Sequence, residues 1–234
     1  MILSDIKTAA QTHPADPIRL SCNETAALCF KAARGAGMAW GLAEEAAFAT
    51  GWLCAHGIDG AGALLRHLDA VGDAGSGDLR PWPQPGYWRA GHKGILCPIR
   101  LGASLLDHAG SAQDPLAAAI RTDAVSMPVL LVPFLAEAGR RRGDTVQLSC
   151  RELVLALDKG PPDLPVLAAL SRIPAAPLWL APAAGTRPAS APDAPLPGVA
   201  PGTVAALEAY ALRITVPATE ASRRGAGTGS NDND

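Results

Sequence analysis

The first strong pattern along the chain is helical, and it covers residues 21–71. Ser21 and Glu24 have the spacing of a capping box, in which each side chain satisfies an exposed backbone amide at a helix N-terminus. This spacing predicts a first helix from Ser21 to about Arg34, with Gly35 as its left-handed cap. Apolar positions three and four residues apart continue in two more segments, separated by glycines. The N-terminal part of the chain is therefore predicted to be a run of three helices.

The pattern beyond the first helix predicts a mixture of helices and short strands. The predicted elements, in chain order, are a second helix from about Gly41 to Gly57, a third over 61–71, a strand over 95–99, helices over 101–109, 115–121 and 128–138, one or two strands within 145–157, a helix over 203–213 and a strand over 214–216. These elements indicate a helix-rich α+β fold of the broad α/β class, with a small sheet and an N-terminal helical segment. We expect a single domain over residues 1–234.

Two stretches rich in proline and glycine are predicted to be irregular. The first is a long loop over residues 72–94, and it holds Trp82, Tyr87 and Trp88. Three aromatic residues argue against simple disorder, so we interpret this loop as a lid or an interface-forming segment. The second stretch, residues 161–201, is a proline-rich irregular segment.

Four charged residues flank the break between the first two predicted helices. Lys31 and Arg34 lie in the last turn of the first helix, and Glu44 and Glu45 lie in the first turn of the second. Cations at a helix end can clamp a carboxylate or phosphate, and a glutamate in apolar surroundings can act as acid or base. Lys31, Glu44 and Glu45 are therefore candidate catalytic residues, and Arg34 is a candidate substrate-binding residue. The alternative is structural, because the same residue types complement helix dipoles or form ion pairs.

The last segment, residues 217–234, is rich in glycine and polar residues. Its alternate glycines allow backbone amides to face an anion, and Ser222 and Arg223 are candidate substrate-binding residues within it. Asp232 and Asp234 offer oxygen ligands to a hard cation. The surrounding sequence lacks the strand-then-helix context of a dinucleotide or phosphate-loop motif. A flexible polar terminus is the alternative interpretation.

Composition limits the classes of function. Apolar residues make up 48% of the 234 residues, and the net charge is −2. A core is therefore expected, and no basic excess indicates binding to nucleic acid. No apolar run is long enough to cross a membrane and no signal peptide is evident, so a cytoplasmic location is expected.

Cysteine and histidine residues give a weaker indication of chemistry. Five cysteines at irregular spacing suit reduced thiols, and no paired ligand spacing of a zinc site occurs. Cys97 is a candidate nucleophile beside His92 or His108, although a buried free thiol is the more common role for such a residue. Asp107 and His108 form one of two close pairings of metal-binding residue types. No metal ligand is assigned, and the cofactor is left unknown.

Four motifs stand out along the chain. They are Leu20-Ser21-Cys22-Asn23-Glu24, Lys31-Ala32-Ala33-Arg34-Gly35-Ala36-Gly37, Trp40-Gly41-Leu42-Ala43-Glu44-Glu45 and the tail from Pro217 to Asp234. In these motifs the chain resembles a bacterial family defined only as a domain of unknown function, and the resemblance extends over essentially the whole length. It implies a cytoplasmic bacterial protein of about this size, without an activity to transfer. It also implies that the tail belongs to the family pattern and is structured and functional.

Together these features predict a small-molecule enzyme of hydrolase or lyase type, or a ligand-binding protein, that acts on a small anionic polar metabolite. The tail is expected to contribute to the site, and in a homo-oligomer a neighbouring tail would do so. The alternative is a non-enzymatic accessory or assembly subunit that docks a partner protein through the aromatic loop and the tail. An enclosed pocket containing Lys31 and a glutamate would favour catalysis, whereas exposed aromatic side chains would favour docking.

Overall fold

The computed structural model describes residues 16–72, 79–91, 94–157, 160–183 and 195–214. Within these ranges the chain has an α+β fold with seven α-helices and ten short strands. The helices are α1 (Cys22–Gly35), α2 (Trp40–Ala55), α3 (Gly60–Val71), α4 (Pro98–Asp107), α5 (Val132–Arg142), α6 (Leu164–Leu170) and α7 (Pro201–Leu212). The strands are β1 (Ile18–Arg19), β2 (Trp82–Gln84), β3 (Tyr87–Arg89), β4 (Ile120–Thr122), β5 (Val125–Ser126), β6 (Thr145–Cys150), β7 (Leu153–Leu157), β8 (Ala175–Ala176), β9 (Trp179–Ala183) and β10 (Gly198–Val199).

The predicted capping box forms at the start of α1. The backbone amide of Glu24 donates to the Ser21 hydroxyl over 3.2 Å, and the Ser21 amide donates to the Glu24 carboxylate over 2.8 Å. The predicted end of the helix is one residue short, because α1 continues through Gly35. The predicted left-handed cap at Gly35 is wrong, since the cap residue is Ala36 and Gly37 is the glycine with positive φ, at 87°. Gly35 has a different role: a Cβ there would lie 1.7 Å from the carbonyl oxygen of Tyr210. Its missing side chain therefore lets α7 pack directly on the end of α1.

The largest sheet has six strands in the order β2-β3-β4-β9-β6-β7. The β3–β4 pair is parallel, and the other neighbouring pairs among these described strands are antiparallel. A parallel pair requires a crossover connection, and here that connection contains α4. The helix is thereby placed next to the β2–β3 hairpin.

The buried apolar side chains form one continuous cluster between the helices and the sheet. Small residues line the contact of α1 with α2, where Ala32, Ala33, Ala43 and Ala46 are fully buried. Small side chains allow the two helix backbones to approach closely at native packing density. Larger side chains, among them Phe134, fill other parts of the core.

Several predicted elements differ from the structure. The predicted loop over 72–94 contains the β2–β3 hairpin, and the predicted strand over 95–99 is a single bridge of Leu96 followed by α4, whose first residue is a proline. The predicted helix over 115–121 is a short 3-10 turn followed by β4. The predicted irregular segment over 161–201 contains α6 and β9. The tail over 217–234 lies outside the described residues.

Among the helices described here, none combines the length and the apolar composition that a membrane span requires.

Candidate functional site

Two adjoining cavities lie beside the turn that joins α1 to α2. The outer cleft, of about 700 Å³, lies between the β2–β3 hairpin and α4. The inner chamber, of about 350 Å³, lies between that turn, the end of α3 and the start of α4. Leu42 and Arg100 line both cavities. The predicted location of the site, near the break from Gly35 to Gly41, therefore coincides with a cavity.

The outer cleft carries polar side chains from two directions. Arg80 approaches from the segment before the hairpin, and Arg100, Ser104, Asp107 and His108 line the cleft from α4 and the residue that follows it. The guanidinium groups are suited to a carboxylate or phosphate, because their donors match the planar oxygens of these anions.

His108 has a defined orientation at the end of α4. Its Nδ1 lies 3.0 Å from the backbone carbonyl oxygen of Ser104. A carbonyl oxygen accepts only, so Nδ1 carries the proton, and Nε2 of the neutral ring keeps its lone pair. His108 therefore presents a proton acceptor at the cleft, and its position directly after Asp107 is visible in the sequence.

The inner chamber contains a thiol that is paired with an imidazole. Cys97, which precedes the first residue of α4, lines the chamber, and its Sγ lies 3.3 Å from Nε2 of His67 on α3. The predicted partners of Cys97 are His92, which lies outside the described residues, and His108. His67 shares a helix face with Leu64 and Val71, three residues before it and four after it, so the sequence carries no local signal for this pairing.

Arg34 is engaged in the turn between α1 and α2. Its Nη1 donates to the carbonyl oxygen of Met38 over 2.6 Å, and its guanidinium carbon lies 5.7 Å from the centre of the Trp40 ring. The indole of Trp40 in turn donates to the Glu44 carboxylate over 3.0 Å. Arg34 and Glu44 are therefore connected through Trp40, and this network holds the turn that forms one wall of the inner chamber.

Glu45 has no hydrogen bond to that network among those the structure shows, and Asp107 and Arg141 are the charged groups that affect it most. It is half-buried, and burial raises the pKa of its carboxyl group, with a further increase from Asp107 and an opposing effect from Arg141. Lys31 is exposed on α1. Among the described residues that line the two cavities, neither Lys31 nor either glutamate occurs. The structure thus does not bring the four charged residues together.

The remaining predicted site residues, Ser222 and Arg223, lie outside the described residues. Arg80, Arg100 and His67 are not among the residues that the sequence patterns mark as candidates. Arg80 lies directly after the glycine-rich part of the predicted loop, and Arg100 lies two residues after Pro98. An arginine in the first turn of a helix does not complement the helix dipole, which is the one local signal that could have marked Arg100.

Within the described part of the chain, no three His, Cys, Asp or Glu side chains cluster in a way that could hold a metal ion.

Residues 20–93 match the model of a family described as a protein of unknown function, DUF3726. The match spans just under a third of the chain and includes α1 to α3 and the β2–β3 hairpin. It contains His67 and Arg80 but ends before Cys97 and Arg100. The chain is thus similar, over its N-terminal part, to an uncharacterised domain family. No curated protein and no solved structure gives a significant match.

Proposed function

We propose that the protein binds a small anionic polar metabolite in the outer cleft and inner chamber, and acts on it as an enzyme of hydrolase or lyase type. The observation that carries this proposal is the charge of the lining. Arg80, Arg100 and Arg213 line the two cavities, and Asp107 is the one acidic residue among their described lining residues. The chain as a whole has a net charge of −2, so this positive lining is local.

The size of the site also supports a small molecule. Pockets that enclose small ligands typically have volumes of about 300–1,000 Å³, and both cavities fall within that range. Arg80 and Arg100 would bind the anion as forked donors. His108 Nε2 is available to take or return a proton at the mouth of the cleft.

The tail is part of this proposal. Arg213, which follows α7, lines the inner chamber. The segment that contains Ser222 and Arg223 therefore starts close to the site along the chain. We propose that these two residues add a hydroxyl group and a positive charge to the bound anion, as the sequence analysis predicts.

A thermal-shift experiment tests the anion-binding step. The wild type is screened against small mono- and dicarboxylates and inorganic phosphate, beside Arg80→Gln and Arg100→Gln. Arg172→Gln is the matched control, because Arg172 is exposed and lines neither cavity. We expect at least one anion to raise the melting temperature of the wild type and of Arg172→Gln, but not of the two cleft variants. Equal shifts in all four proteins, or no shift with any anion, would contradict the proposal.

One observation favours the alternative function, a docking subunit. Trp82 lies on the edge strand β2 and is 64% exposed, and Tyr87 and Trp179 are also exposed. Exposed aromatic side chains beside an open sheet edge are typical of a protein-binding surface. Recovery of the same partner with the wild type but not with Trp82→Ser, together with no anion binding, would favour docking over catalysis.

A further inference from the structure

A buried thiol–imidazole pair forms part of the wall of the inner chamber. Cys97 is 1% exposed and His67 is fully buried, and the Sγ–Nε2 distance is 3.3 Å. Cys97 lines the chamber, and the chamber shares Leu42 and Arg100 with the outer cleft. A nucleophile, a base within reach of it and a space for a reacting group are therefore present together.

We propose that Cys97 is a nucleophile and His67 its general base, for covalent catalysis on a small anionic substrate that carries an electrophilic carbonyl or amidine carbon. This inference rests on the proposed function, because the arginines around the two cavities supply the anion selectivity. It adds to the proposed function the two residues that react, and it limits the substrate to anionic molecules with an electrophilic carbonyl or amidine carbon.

The start of α4 favours negative charge on the sulfur. The backbone amides of Ile99 and Arg100 donate towards the Cys97 thiol, and the charge of Arg100 acts in the same direction; all three lower the pKa of the thiol. Helix N-termini stabilise thiolates for this reason. Burial is the larger effect, however, and the net pKa of Cys97 is raised.

Burial lowers the pKa of His67 to about 4. The resting pair is therefore a neutral thiol and a neutral imidazole, and in the tautomer that carries its proton on Nδ1 the Nε2 lone pair faces the thiol. Among the described residues, Nδ1 of His67 has no hydrogen-bond partner. A buried unpaired nitrogen costs stability, so a purely structural residue at this position would be better replaced by an apolar side chain.

The covalent step follows from these positions. The Cys97 proton passes to His67 Nε2 as Sγ forms a bond to the substrate carbon. The bond from that carbon to the leaving group breaks, and the leaving group takes the proton from Nε2. Water then adds to the same carbon, giving one proton to Nε2, and the carbon–sulfur bond breaks as Sγ recovers that proton. The sum is hydrolysis of the substrate with the enzyme unchanged.

Alkylation of the folded protein tests the nucleophile without knowledge of the substrate. The probe is iodoacetamide, and labelling at each cysteine is followed over time by peptide mass spectrometry. Cys29 and Cys150 are the internal controls, because they are equally buried thiols that line neither cavity. We expect Cys97 to react at least about tenfold faster than both controls. Protection of Cys97 equal to that of Cys29 would overturn the inference.

The role of His67 has its own readout. In the wild type, the labelling rate of Cys97 is expected to be nearly constant from about pH 6 to pH 8, because the imidazole takes the proton. In His67→Gln the rate should fall about tenfold at pH 7 and rise about tenfold per pH unit, as for unassisted thiolate formation. A labelling rate of Cys97 that rises with pH in the wild type would overturn the assignment of His67 as the base. This result can be read from the wild type alone, even if His67→Gln does not fold.

A second probe separates this inference from anion binding. Iodoacetate carries the negative charge that iodoacetamide lacks, and the half-exposed Cys22 gives the reference ratio of the two rates. A preference of Cys97 for iodoacetate, relative to Cys22, supports both proposals. Fast labelling of Cys97 by iodoacetamide without that preference supports Cys97 as a nucleophile but contradicts an anionic substrate. If Cys97 is not labelled rapidly but the thermal-shift screen still shows anion binding, the nucleophile assignment is wrong and the proposed anion binding stands.

Discussion

The sulfur atoms of Cys22 and Cys54 face each other across the contact of α1 and α2. The Cys22 thiol donates to the Cys54 sulfur over 2.9 Å, and both residues are free cysteines. Cys22 lies in the first turn of α1 and is partly exposed, so a small oxidant can reach it. We expect hydrogen peroxide to convert the pair to a disulfide, each peroxide molecule giving two molecules of water.

The cross-link should stabilise the fold. It would close a loop of roughly thirty residues, for which chain-entropy arguments give at most about 3–4 kcal/mol. The expected result is a mass loss of two hydrogens and a melting temperature several degrees higher, both reversed by a reductant. Cys22→Ser is the control and should show neither change. A peroxide-treated wild type with unaltered melting would show that the two helices must distort to accept the bond.

Arg34 is expected to stabilise the turn between α1 and α2, since it binds the Met38 carbonyl and stacks on Trp40. Arg34→Ala should lower the free energy of unfolding by about 1–3 kcal/mol, because it leaves the carbonyl group without its charged donor. Lys31→Ala is the matched control on the same helix and should stay within about 0.5 kcal/mol of the wild type. Urea unfolding of both variants measures the difference. Equal stability of the two would argue for a ligand-binding role of Arg34 instead.

Glu45 is expected to reduce stability at neutral pH. Its pKa is raised in the folded state, so the folded protein binds this proton more tightly than the unfolded chain and loses stability as the carboxyl group ionises. Glu45→Gln should therefore melt about 1–2 °C above the wild type at pH 7 and equal to it near pH 3.5. If Glu45→Gln is instead destabilised at pH 7, the ionised carboxylate has a favourable partner.

His67 is expected to make the fold sensitive to mild acid. The unfolded chain binds a proton at about pH 6.5, whereas burial holds the pKa of the folded residue near 4. Stability is therefore full above pH 6.5 and decreases as pH falls towards 4, by up to about 3 kcal/mol. Unfolding free energies measured at pH 7 and pH 4.5 should differ less in His67→Gln than in the wild type. An identical pH dependence in the two proteins would mean that folding does not shift the pKa of His67.

Local signals explain which parts of the structure were predictable. The capping box depends on Ser21 and Glu24 alone, and it forms as predicted. Gly35 was assigned the role of a helix cap because glycines commonly end helices, but its actual role depends on Tyr210 far along the chain. The β2–β3 hairpin was missed for the same reason, since its strands are short and gain stability by pairing with β4.

The candidate site shows the same limit. Glycines and charges in the sequence predict a site beside the α1–α2 turn, and a cavity lies there. The pairing of Cys97 with His67 could not, because the two residues lie on different helices that meet only in the folded core. Arg34 and Glu44 are predicted from the sequence as site residues beside the turn, and in the structure both contact Trp40.

The parallel pairing of β3 with β4 has a consequence for how the two cavities arise. Apart from Leu42, the lining of the outer cleft comes from residues 80–115, which form a single crossover unit. The inner chamber draws on segments as far apart as Gly35 and Arg213. Contacts between nearby segments close early in folding, whereas contacts between distant segments close late. The outer cleft can therefore form on a partly folded chain. The inner chamber is complete only after α7 has docked. The site around the Cys97 thiol is therefore assembled in the last steps of folding.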